Sequence, residues 1–175
     1  MMGRMIRKIG VVAGAGALFF LAAGAHADNG LAIELGRGDE NTNLLRLSLI
    51  DTWRKGESAA PDWHLAGYWE FSAGIWDNRE ESVAEVAATP VFRFARSSFY
   101  VEGAIGLHLV TTHISAARVF STSFQFGEHL GAGYRFGPGR RYDLGVRVQH
   151  ISNGGLREPN PGINFVLVRF QYDLE

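Results

Sequence analysis

The sequence predicts an all-β chain: an eight-stranded antiparallel transmembrane β-barrel behind a cleavable leader. Three observations predict it. Hydrophobicity alternates with period 2 through nearly all of the chain after residue 27, as in strands with one apolar and one polar face. Several of these runs cover 11–15 residues. That exceeds the usual five or six of soluble sheets and suits a tilted strand crossing a bilayer, which needs about 9–11. The apolar parity carries Trp, Phe and Tyr near strand ends, while Gly, Ala and polar residues take the other parity, the pattern of aromatic girdles around a narrow lumen. The rival fold is a soluble secreted barrel or sandwich.

The elements follow in order. Arg4, Arg7 and Lys8 precede an apolar run from Ile9 to Leu21 and a small-residue stretch ending Ala25-His26-Ala27. A basic n-region, an h-region and an A-x-A site predict a signal peptide over 1–27, with the barrel domain at 28–175. The alternative, an uncleaved anchor helix, has too short an apolar run and no basic flank after it. Without the leader, 148 residues carry 14 Lys+Arg against 18 Asp+Glu, a net charge of −4. Alternation then predicts strands at 31–37, 43–54, 63–76, 83–95, 99–110, 122–136, 142–152 and 163–174. Turn residues break them: Gly38-Asp39-Glu40-Asn41, Lys55 to Asp62, Asp77-Asn78-Arg79, Arg96-Ser97-Ser98 and Gly137-Pro138-Gly139. An even strand count leaves both ends of the barrel on the periplasmic side, so turns 38–42, 77–82, 111–121 and 153–162 face outside. A barrel of eight is nearly filled by its own side chains and makes a poor pore.

Composition excludes several functions. The 175 residues suit one domain, and 46% hydrophobic content is too high for disorder. With no cysteine there are no disulfides, thiolate metal sites or cysteine nucleophiles. Charges nearly cancel at −1, so no basic face invites nucleic acid. A single long apolar run excludes a multi-span helical membrane protein. His64, His108, His113 and His129 lack metal-ligand spacing, so no metal is expected, and Gly131-x-Gly133 lies inside a strand rather than before a helix. His108 and Glu102 fall on the lumen parity. Arg157 and Glu158 read as solvated loop residues with a weaker option of meeting lipid phosphates or sugars.

Chemistry concentrates in 150–164. In the seventh strand Tyr142, Leu144, Val146 and Val148 share a parity that His150 and Ser152 continue. In the eighth, Val166, Val168, Phe170 and Tyr172 define the same outward face, and Asn164 lies on it. Polar groups facing hydrocarbon cost several kcal/mol unless paired. One reading puts them at the bilayer–water interface, where such groups are cheap. The other is nucleophilic acyl transfer. A serine hydroxyl needs an imidazole to take its proton, and the imidazole needs a third group on its other nitrogen. The glycines and asparagines that follow offer an oxyanion hole.

The run His150-Ile-Ser152-Asn153-Gly-Gly155-Leu-Arg-Glu-Pro159-Asn160-Pro-Gly162 resembles the signature of the lipid A 3-O-deacylases, the PagL family. The similarity extends upstream through Phe124-Gln125-Phe126 and Leu130-Gly131-Ala132-Gly133. The resemblance implies an outer-membrane carboxylic ester hydrolase that removes the 3-position acyl chain of lipid A. Ser152 would be its nucleophile and His150 its general base. Asn160 and a backbone N–H near Gly155 would hold the oxyanion, and Asn153, Phe126 and Pro159 would support the site. The implied partners are lipid A in lipopolysaccharide and outer-membrane lipids, with a homodimer as an option; no cofactor is implied. The chain departs from the family in one place: Asn164 stands where the pattern has glutamate. Either Asn164 orients His150 through its amide oxygen, or Glu128 on the sixth strand supplies the acid; Asn164 is favoured. The functional rivals are a non-catalytic barrel binding lipopolysaccharide or a surface partner, and a phospholipase-like esterase.

Overall fold

The computed structural model describes residues 30–53, 62–78, 82–111 and 119–174; the leader over 1–27 and His113 lie outside the described residues. Eight strands form: β1 (Gly30–Gly38), β2 (Asn43–Thr52), β3 (His64–Asp77), β4 (Ser82–Arg96), β5 (Phe99–Val110), β6 (Phe124–Phe136), β7 (Tyr142–Ser152) and β8 (Ile163–Asp173). Their bounds differ from those that alternation predicts by no more than two residues. Each pairs antiparallel with the next, and β1 pairs with β8 from Gly30↔Asp173 to Gly38↔Phe165, closing the barrel and leaving no free edge.

Alternation sets the two faces. Outward residues include Leu130, Ile105, Val166 and Val148, all more than half exposed, an apolar wall that only a lipid surround makes favourable. At the end where β1 begins and β8 terminates, outward rings pair around the barrel: Trp63 stacks on Phe94 at 4.9 Å, Phe99 meets Tyr134 at 4.7 Å, and Phe136 stacks on Tyr142 at 5.6 Å. These are the expected girdle residues at one interface.

Inward positions hold a paired-charge core. The guanidinium of Arg147 reaches Glu102 at 2.7 Å, Glu34 at 2.6 Å and Glu70 at 3.1 Å. Arg46 bonds Glu34 at 2.8 Å and also Glu85, and Arg93 bonds Glu102 and Asp143, each at 2.8 Å. Buried charges are tolerable only when paired, and each of Glu34 and Glu102 is shared by two of these guanidiniums. The network ties together strands far apart in sequence.

The lumen differs from the expected polar parity at the opposite end, where β7 ends and β8 begins. There Leu44, Trp76, Val83, Val110, Phe120, Ile151, Ile163, Phe165 and Leu167 form one buried apolar plug, with Trp76 and Phe165 rings 5.4 Å apart. Local periodicity shows which residues share a face. It does not show that side chains from six strands meet across the lumen at this end.

Candidate active site

The plug positions the site. Ile151 lies between His150 and Ser152 and is fully buried, as is Ile163 beside Asn164. Burying each stabilises by about 1.5–3 kcal/mol. With these side chains anchored inward, the pleat turns His150, Ser152 and Asn164 to the outer wall.

Register then assembles one row across the wall. Glu128 on β6 lies opposite His150 on β7, and His150 lies opposite Asn164 on β8. His150 Nδ1 and Asn164 Oδ1 are 2.8 Å apart. The row continues past β8 to Asp39, in the 3₁₀ turn Asp39–Asn41 that follows β1. Asp39 Oδ2 accepts from the Asn164 backbone N–H at 3.0 Å and from Asn164 Nδ2–H at 2.9 Å. A carboxylate only accepts, so the Asn164 amide turns Nδ2 to Asp39 and Oδ1 to His150. The histidine nitrogen facing Oδ1 must therefore carry a proton, and in the neutral ring that puts the lone pair on Nε2.

Ser152 shares the outward face of β7 and lies opposite Phe126. Its Oγ is 3.4 Å from the backbone N of Gly154 rather than hydrogen-bonded to His150. The loop 153–162 is pinned by Asn153, which is wholly buried. Asn153 Nδ2 donates to the Arg157 carbonyl at 2.6 Å and to Ser121 Oγ at 3.0 Å, and its Oδ1 accepts the Gly155 N–H at 2.9 Å. Ser121 Oγ donates to the same Arg157 carbonyl at 2.8 Å, so the β5–β6 connection also holds this loop. Asn160 Oδ1 accepts the Asn153 N–H at 3.0 Å, which commits its oxygen and leaves Nδ2 as its donor. Phe126 packs edge-on to Phe124 at 5.0 Å and lies under Gly154. Pro159, after a cis peptide bond, precedes Asn160.

Thus the fold brings together His150, Ser152, Asn164 and Glu128 on one patch, with Phe126 opposite Ser152. Asn153 and Asn160 are bonded to each other in the loop that follows, while the Gly155 N–H itself is taken by Asn153 Oδ1. Glu128 stands beside His150, yet the imidazole bonds Asn164. Among the described residues, no group of three or more histidine or carboxylate side chains could hold a metal ion. A groove of about 780 Å³ opens on the wall beside the row. Asp39, Asn164, His150 and Glu128 line it along one side, and Val166, Val148, Leu130 and Phe92 run below them, with Gly103 between Phe92 and Leu130.

Local pattern does not single out two further residues. Asp39 reads only as a turn residue, and Gly162 only as part of a motif. The signal for Asp39 lies in barrel closure: β1 must pair with β8, and continuing their register places Asp39 opposite Asn164.

A family model described as "Lipid A 3-O-deacylase (PagL)" matches residues 44–173. The lipid A deacylase PagL of Bordetella bronchiseptica is 34% identical over 111 residues, spanning 61% of this chain and 58% of that protein. The enzyme of the same name from Pseudomonas aeruginosa is 32% identical over 124 residues, covering 67% of this chain and 70% of its own length. The crystal structure of the outer membrane enzyme PagL superimposes with a TM-score of 0.70 at 25% identity, over 82% of this chain and 98% of that one.

Proposed function

Since this chain belongs to the lipid A 3-O-deacylase (PagL) family of outer-membrane hydrolases, we propose that it removes the 3-position acyl chain of lipid A with Ser152 as nucleophile and His150 as base. The observation that carries the reading is the His150 Nδ1–Asn164 Oδ1 bond of 2.8 Å. It leaves Nε2 basic on the same lipid-facing side as Ser152, next to an apolar groove.

The steps follow from ester chemistry. Ser152 Oγ attacks the ester carbonyl carbon while its proton passes to His150 Nε2. The oxyanion is met by the Gly154 N–H, which lies 3.4 Å from Ser152 Oγ, and by Asn160 Nδ2. Collapse breaks the acyl–oxygen bond, and the sugar 3-oxygen leaves with the proton from His150. Water, deprotonated by the same imidazole, then releases the fatty acid from Ser152. The row lies at the end that the even-strand rule places outside, where the outer leaflet holds lipid A. A substrate confined to that plane loses less translational freedom on docking. The groove below the row suits an acyl chain.

Mass spectrometry of lipid A from cells expressing the chain or its Ser152→Ala variant tests this. Loss of one 3-hydroxyacyl mass with the unaltered chain alone is expected. An unchanged spectrum with folded protein, or an active Ser152→Ala variant, would overturn the assignment. Fatty acid release from phospholipid vesicles free of lipid A would redirect it to a phospholipase-like esterase.

A further inference from the structure

We propose that Asp39 is the acid of this site, acting through Asn164 as a positioning residue for His150. The inference rests on the Ser152–His150 reading above. An amide at 164 can accept the imidazole N–H, but it carries no charge to balance the imidazolium that forms during acyl transfer. It also has two ends of nearly equal size, and nothing intrinsic to it decides which faces the ring. Asp39 resolves both needs. Its Oδ2 takes the backbone N–H of residue 164 at 3.0 Å and the side-chain Nδ2–H at 2.9 Å. The first bond fixes where the carboxylate sits, and the second fixes the amide orientation. The charge then lies one hydrogen bond beyond the residue that touches the ring. A bond to an ionised acceptor is stronger than a neutral one, and linked hydrogen bonds polarise one another, so the amide oxygen facing His150 becomes a better acceptor.

The local chain is shaped for this contact. Gly38 precedes Asp39, and a Cβ on it would lie 2.7 Å from the Asn164 carbonyl oxygen and 2.6 Å from Phe165 Cδ1. Only a residue with no side chain lets the end of β1 approach β8 so closely. The turn is closed by Gly38 N–H to Thr42 O at 2.7 Å and Thr42 N–H to Asp39 O at 3.1 Å. Glu128 faces the same imidazole from β6, but the Nδ1 bond goes to Asn164.

A double-mutant cycle between Asp39→Asn and Asn164→Ala tests the relay, with deacylation assayed on purified lipopolysaccharide and Ser152→Ala as the control. Asp39→Asn keeps size and an accepting oxygen but loses the charge. We expect kcat to fall by roughly 10- to 100-fold with KM little changed, the scale known for removing the hydrogen-bonded partner behind a metal-ligating histidine. In the Asn164→Ala background the backbone bond to Asp39 remains while the relay is gone, so Asp39→Asn should then cost less than about threefold. An equal loss in both backgrounds would make Asp39 a purely structural turn residue and overturn the proposal. Full activity of Asp39→Asn would overturn it too, while leaving the Ser152–His150 reading intact. An active Ser152→Ala variant would instead sink that reading, and this inference with it.

Discussion

Gly162 lies against the imidazole of His150. A Cβ on it would stand 2.6 Å from His150 Cε1 and 3.0 Å from Nε2, and its φ is +59°. The chain entering β8 thus forms the floor under the ring, next to the nitrogen proposed as base.

Alanine at this position meets two obstacles. A left-handed backbone costs an L-residue about 1–2 kcal/mol, and the new methyl group must displace the ring. We expect Gly162→Ala to fold as a barrel, since the position lies at a strand end, and to lose most of its kcat. Activity normalised to the folded fraction, scored by heat-dependent gel migration, checks this. A fully active, folded variant would mean that the ring has other room.

The row Glu128–His150–Asn164 offers the imidazole a neighbour on each side, and of these two it is Asn164 that bonds it. Removing the bonded group should therefore cost more than neutralising the other. We expect Asn164→Ala to lower kcat by a larger factor than Glu128→Gln. The reverse order in steady-state assays would make Glu128 the group that the ring relies on.

Asn153 holds the 153–162 loop with three side-chain hydrogen bonds from a wholly buried position. At about 0.5–1.5 kcal/mol each, their loss is enough to loosen a loop. Asn153→Ala should show faster amide exchange across 153–162 than in the strands, with a fall in kcat. Unchanged exchange at Gly155 would argue that the backbone alone shapes this loop.

Within the lumen, Arg147 bonds Glu34, Glu70 and Glu102. Replacing it by Met would leave three carboxylates short of a partner, although Arg46, Arg169 and Arg93 still reach them. Breaking a buried pair in this way costs about 3–5 kcal/mol. A lower urea midpoint for Arg147→Met is expected, with the remaining folded protein still active because the site lies on the outer wall.

The strands, the face each side chain takes and the family that the 150–162 motif resembles are all legible in the residues themselves. Period 2 is a local property of extended chain, so the outward parity of His150, Ser152 and Asn164 can be read within two strands. The cost of exposing polar groups to lipid marks them as unusual on pattern alone. What surrounds them is a matter of tertiary arrangement. The hydrogen-bonded neighbour of Asn164 comes from 125 residues away, because closing the barrel lays β1 against β8. The apolar plug behind the site joins side chains from six strands and the segment after β5, and the orientation of the Asn164 amide follows from a carboxylate that no local pattern links to it. Alternation fixes faces, whereas register across a closed barrel fixes neighbours, and the chemistry of this site depends on neighbours.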